Sequence, residues 1–220
     1  MSELKVNKIS PRDGTAFTLG DSGDTFTVPA GANIVNSGTA TGFGGGATAL
    51  VSSATANDTA EIIFTIDTTQ YNTYLLRMEN VVASSNGASG RFLFGDTNGY
   101  STSMYAWVQV SHNTSSHAYS NNGGAGLSHG IMDTNMSSFK KESFNANIWI
   151  SAPSAADLST PMLQYNSVYI NTGGTLQKDT GIVGMPNGNA AGFNMTHLKF
   201  YVVGQNIKHG RFYLYGLSQS

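Results

Sequence analysis

The chain has 220 residues, a formal net charge of −2 and no cysteine. Disulfides and thiolate-based metal or redox chemistry are thereby excluded, and the absence of a basic excess argues against a general binder of nucleic acid or of anionic membranes. Hydrophobic residues make up 40% of the chain but charged residues only 11%, against about 25% in an ordinary soluble domain. A core can form, while the polar surface must come from Ser, Thr, Asn, Gln and Gly, which favour turns and strand edges over helix interiors.

The first residues, Met1-Ser2-Glu3-Leu4-Lys5-Val6, lack the apolar stretch of a signal peptide. No run approaches the ~18 apolar residues of a membrane span. No signal peptide and no membrane insertion are therefore expected.

Residues 1–46 form a region of their own. Phe17, Phe26 and Val35 recur at a spacing of nine, and Phe26 is followed closely by Val28. Each lies in a very short extended unit closed by Gly, Asp or Pro. Strands of three or four residues cannot bury a core alone. Phe17, Phe26, Val28 and Val35 are therefore expected to anchor this segment on a partner surface or in a short fibre-like shaft. Gly42-Phe43-Gly44-Gly45-Gly46 then reads as a flexible linker, which puts the boundary of the main domain at 46/47.

From Ala47 onward, short apolar alternations are separated by turn chemistry. Strands are predicted at 61–66, 74–78 with 81–82, 91–94, 104–110, 147–150, 167–170, 198–203 and 211–217. Between the second and third, Ser84-Ser85-Asn86-Gly87 supplies a turn suited to positive φ. The polar, glycine-rich run 111–126 is expected to be a loop, and 133–140 holds the best helical turn. The last two strands are expected to pair as a hairpin around Gly204–Gly210, with Phe200 and Val202 beside Phe212 and Leu214. Eight or more short strands without a helical repeat point to an all-β, jelly-roll-like β-sandwich at 47–220, preceded by the short extended anchor segment.

Chemistry-bearing patterns are sparse. Gly126-Leu127-Ser128-His129-Gly130 matches the spelling of a hydrolase nucleophile motif, but no strand–turn–helix context surrounds it. His112, His117 and His129 could share a loop and together hold a zinc or nickel ion, yet none lies in a helical metal pair. Asp133, Glu142 and Asp157 offer carboxylates with nothing to pair them for glycoside cleavage. Asp21-Ser22-Gly23-Asp24 lacks calcium-loop spacing. No cofactor and no catalytic residue is expected. Aromatic rings with amide neighbours suit neutral sugars. Tyr100 and Tyr119, near loops, are the candidate glycan contacts, whereas Trp107 and Trp149, inside alternating strands, are expected in the core.

Several blocks resemble a known group. Asp67-Thr68-Thr69-Gln70-Tyr71-Asn72-Thr73-Tyr74-Leu75-Leu76, running on to Glu79-Asn80-Val81-Val82, is similar to the first block of a set of phage virion β-sandwich proteins. Gly210-Arg211-Phe212-Tyr213-Leu214-Tyr215-Gly216-Leu217 is similar to their closing block. Leu4–Ile9, Thr27–Ala32 and Asn36–Ala40 resemble leading segments of tail-fibre and related structural proteins of phages, notably marine ones. The resemblance implies a non-enzymatic virion protein, a homotrimer shown on a tail fibre or spike, that contacts other virion proteins through residues 1–46 and meets host-surface glycans. Long fibres carry extended shafts, and only about 46 residues precede the domain here. That departure brings in a capsid decoration protein as the alternative, and a virion-bound glycan depolymerase stands third.

Overall fold

A computed structural model of the chain describes residues 48–101, 105–114, 116–127, 130–136, 138, 143–152, 160–185 and 193–217, together with Thr25 and Thr27; for 120–127 and 130–135 it describes the backbone alone. The chain divides into two units, Met1–Phe43 and Gly44–Ser220. Every described strand belongs to the second. The anchor residues Phe17, Phe26, Val28 and Val35 lie outside the described residues.

The described residues are all β, with no helix among them. Thirteen strands follow in order: β1 Thr48–Thr59, β2 Glu61–Thr65, β3 Thr73–Ala83, β4 Ala88–Asp96, β5 Gly99–Tyr100, β6 Tyr105–Asn113, β7 His117–Leu127, β8 Gly130–Met136, β9 Phe144–Ser151, β10 Met162–Ile170, β11 Leu176–Gly184, β12 His197–Val202 and β13 Ile207–Leu217. One sheet has the order β1-β13-β3-β9-β10-β11-β6-β7; the other runs β2-β12-β4-β5, with β8 also paired to β4. Within them, β1-β13-β3-β9 faces β2-β12-β4-β8, and successive strands of this set switch sheets except β4 and β8, which pair with each other in the small one. That is jelly-roll order. Strands β10, β11, β6 and β7 extend the large sheet into a wing beyond it.

The alternation read from the sequence becomes burial at each strand. In β9, Phe144, Ala146, Ile148 and Ile150 point inward; in β10, Leu163, Tyr165, Ser167 and Tyr169 do. A two-residue side-chain period allows one face to be apolar while the other meets solvent. The inner faces of both sheets share one hydrophobic cluster that includes Leu76, Phe92, Ile148, Phe200 and Phe212.

Three sequence expectations are corrected. The final strands do not form a hairpin: β12 sits in the small sheet and β13 in the large one. Phe200 and Phe212 instead meet across the sandwich, ring centroids 5.7 Å apart. The intervening residues turn a corner between sheets, and alternation alone reads the same for paired and for opposed strands. The run 111–126, expected as a loop, completes β6 and supplies most of β7, because backbone pairing to β6 does not require apolar side chains at a sheet edge. Residues 133–136 of the expected helical turn lie instead in β8, which pairs with β4 from Ala88 to Phe92; of the rest of that stretch only 138 is among the described residues.

The block Asp67–Leu76 forms the corner between β2 and β3. The Asp67 carboxylate accepts from the Thr69 amide at 3.0 Å and its hydroxyl at 2.6 Å, and the Asp67 amide donates to Tyr74 Oη at 2.9 Å. The Thr69 bonds hold the Asp67 carboxyl below its ordinary pKa.

Candidate functional face of the large sheet

The outer face of the large sheet is built rung by rung from strand register. Leu75 on β3, Trp149 on β9 and Gln164 on β10 stand side by side. The row continues through Tyr215 to Leu50 on one side, and through Ile182 to Val108 on the other. No charge interrupts it. Leu50, Trp149, Ile182 and Val108 are all solvent-exposed, as is Met162 beside them. Apart from Gln164 the row is apolar, and an exposed apolar band of this kind on a folded domain marks a contact surface.

The next rung is polar: Arg77 on β3, Asn147 on β9 and Asn166 on β10. Beyond it lie Glu79, Asn145 and Val168. Arg77 and Glu79 form an ion pair at 2.8 Å. A bulge in β3 between Met78 and Val81 shapes this end. Asn80 there takes φ of 53°, which Asn tolerates better than most residues, and its backbone N–H donates to Asn145 Oδ1 at 2.9 Å. A depression of about 650 Å³ lies over Arg77, Glu79, Asn80, Asn145, Asn147 and Asn166. A second, of about 370 Å³, shares Arg77, Asn147 and Asn166 and reaches Leu75, Trp149 and Tyr215.

Trp149 was expected in the core, and the structure corrects this: it is 43% exposed. The parity of β9 decides it. Ile148 and Ile150 take the inner positions, so the residue between them faces out. The run Phe144-x-Ala146-x-Ile148-x-Ile150 contained that signal. Arg77, Asn147 and Asn166 were not singled out, since nothing local distinguishes them from other surface residues. Trp107, on the inner face of β6, is partly buried against the core.

The sequence candidates lie apart from this face or at its margin. Tyr100 is on β5 of the small sheet, where Lys199 Nζ sits 4.2 Å from its ring centroid and Lys199 pairs with Glu61 at 3.0 Å. That ring face is already covered by a cation. Tyr119 is on β7, at the far edge of the large sheet, and is 64% exposed. The two tyrosines belong to different sheets and build no common site. His112 and His117 face each other across the β6–β7 pair, ring centroids 6.2 Å apart. His129 and Ser128 lie outside the described residues, as do Glu142, Asp157 and Asp21 to Asp24. Among the described residues, no three metal-ligating side chains cluster.

One buried polar group lies on the inner side of the wing. Asp179 is fully buried and accepts from Tyr169 Oη at 3.0 Å; its other oxygen has no hydrogen-bond partner among the described residues. Ser167 on β10 and Ser111 on β6 flank it in register. Burial raises its carboxyl above the ordinary value of 3.8.

No family model matches the chain, and neither curated proteins nor solved structures supply a match.

Proposed function

We propose that the chain is a bacteriophage virion structural protein, a homotrimeric tail-fibre or spike component whose sandwich domain contacts host-surface glycans. Residues 1–46 join it to other virion proteins. The observation that carries the attachment role is the outer face of the large sheet, where an exposed indole borders a rung of amides. Such a face suits recognition by stacking and hydrogen bonding, with no chemical step. The blocks at Asp67–Leu76 and Gly210–Leu217 support the virion reading through the resemblance they carry. Jelly rolls serve viral capsid and lectin domains alike, a likeness of fold that supports the reading by analogy only.

A second reading is a capsid decoration protein that docks on the particle through residues 1–46. Copy number per particle separates the two. Quantitative mass spectrometry of purified virions is expected to find a few to a few dozen copies; hundreds would overturn the tail-fibre reading in favour of decoration. Removing residues 1–46 is expected to leave a folded sandwich that no longer enters particles. Incorporation of the truncated domain would overturn the anchor assignment.

A further inference from the structure

We infer that the outer face of β3, β9 and β10 is a trough for a neutral oligosaccharide, with Trp149 as its stacking platform and Arg77, Asn147 and Asn166 as its hydrogen-bonding rung. The inference rests on the attachment reading above and assigns it a place and a ligand class.

Trp149 stands near the middle of the sheet with 43% of its surface in water. An indole left so exposed does little for the core, and its flat apolar face matches the C–H face of a pyranose ring. The adjoining rung supplies the complementary chemistry. A side-chain amide carries both donors and an acceptor, and a sugar hydroxyl is both donor and acceptor. Among the described residues, no hydrogen bond engages the side-chain amides of Asn147 and Asn166, so their bonding capacity faces solvent. Arg77 adds a fork of donors.

Charge selects among glycans. Within the trough Arg77 and Glu79 neutralise each other at 2.8 Å. Arg211 and Lys178 stand one strand outside the trough, beside Glu79 and Val168 respectively. The lining therefore holds no uncompensated charge to attract an acidic sugar.

Dimensions also fit. Trp149 and Asn145 are four residues apart on β9, about 13 Å at strand rise. The two depressions along this path share three lining residues and so run into each other. That length takes a short oligosaccharide laid along the strands. A second copy of the chain would instead favour the side of the face toward Ile182, Val108 and Met162, where Gln164 is the one amide of the row to be desolvated.

The test uses the full-length protein, Trp149→Ala and the double variant Asn147→Ala/Asn166→Ala. Each is presented to purified host-surface polysaccharide and to a panel of neutral and acidic oligosaccharides, with its oligomeric mass and melting temperature measured in parallel. The wild type is expected to bind a neutral glycan with little change from about 50 to 500 mM salt. Both variants are expected to lose about tenfold or more in affinity at unchanged mass and near-unchanged melting temperature. If the wild type binds host polysaccharide and both variants bind equally well, the trough is wrong while the attachment reading stands. Salt-sensitive binding confined to acidic glycans overturns the ligand class. A changed oligomeric mass in Trp149→Ala makes the face a subunit contact and overturns the trough. If the wild type binds neither host cells nor any glycan, the attachment reading itself falls.

Discussion

The ring of Tyr71 lies directly against the α-carbon of Gly216. Tyr71 belongs to the corner that follows β2, Gly216 to the end of β13, and any side chain at 216 would put its Cβ 2.5 Å from the Tyr71 ring. Tyr71 cannot simply swing away, since it packs edge-on against Tyr74 with centroids 5.7 Å apart. The Tyr71 and Gly216 blocks, more than a hundred residues apart in sequence, are thus one packing unit.

Gly216→Ala is therefore expected to destabilise the domain by about 1–3 kcal/mol, the range for overpacking a tight site. Thermal denaturation should show a fall of several degrees. Tyr71→Ala combined with Gly216→Ala should cost less than the sum of the single changes, because the cavity made by one receives the methyl of the other. Full additivity would show that the contact does not constrain position 216.

A second inter-element bond closes a gap in the small sheet. Strand β8 pairs with β4 as far as Phe92, and β5 begins pairing at Gly95. Between them, the Phe94 amide donates to Tyr105 Oη at 2.7 Å. Burial pushes the Tyr105 hydroxyl well above its ordinary pKa, so it stays protonated. Tyr105→Phe leaves a buried amide unpaired at almost unchanged volume. The expected cost is about 1–3 kcal/mol, read by chemical denaturation, with faster hydrogen exchange at the Phe94 amide. Unchanged exchange there would show that the bond protects nothing.

The buried Asp179 predicts an inverted pH response. Its carboxyl has a folded pKa raised above the unfolded one, so the neutral form is favoured by folding. The stabilisation is present below the ordinary value of 3.8 and is lost as pH rises through the folded pKa. Asp179→Asn mimics the neutral form and can still accept from Tyr169. It is expected to stabilise the protein at pH 7 relative to wild type, with the difference shrinking toward pH 4. Melting curves across that range check it, and a difference that grows toward acid would contradict the assignment.

The bulge at Asn80 gives a fourth prediction. Its backbone occupies the left-handed region, where glycine is at ease and a β-branched residue is strained. Asn80→Gly should be nearly neutral, whereas Asn80→Val should cost on the order of 1–3 kcal/mol and distort the polar end of the trough. Stability of the two variants, measured side by side, distinguishes backbone strain from loss of the amide side chain.

Much of this architecture was legible in local pattern. Glu61–Ile66, Tyr74–Met78, Asn147–Ile150 and Leu198–Val203 alternate strictly enough to be strands, because a half-buried sheet needs that period. Other strands were hidden. β1 buries only Ala56 outright, and β11 carries Gln177 and Asp179 inward, so neither shows an apolar alternation. Their pairing is made by backbone groups common to every sequence. The candidate face was half legible: the flanking isoleucines of Trp149 dictate its outward direction, but its neighbours Arg77 and Asn166 come from strands far away in sequence.

By itself, then, the sequence determined the fold class, most strand positions and local turn chemistry such as Ser84–Gly87, where Gly87 takes φ of 74°. These are local consequences of side-chain period and turn chemistry. Only the tertiary structure decided that β12 and β13 oppose each other across the core, that residues 117–127 extend a sheet, and that Trp149 joins Arg77, Asn147 and Asn166 on one exposed face. Those outcomes depend on which strands exchange backbone hydrogen bonds, and every non-proline residue offers the same donor and acceptor for that exchange.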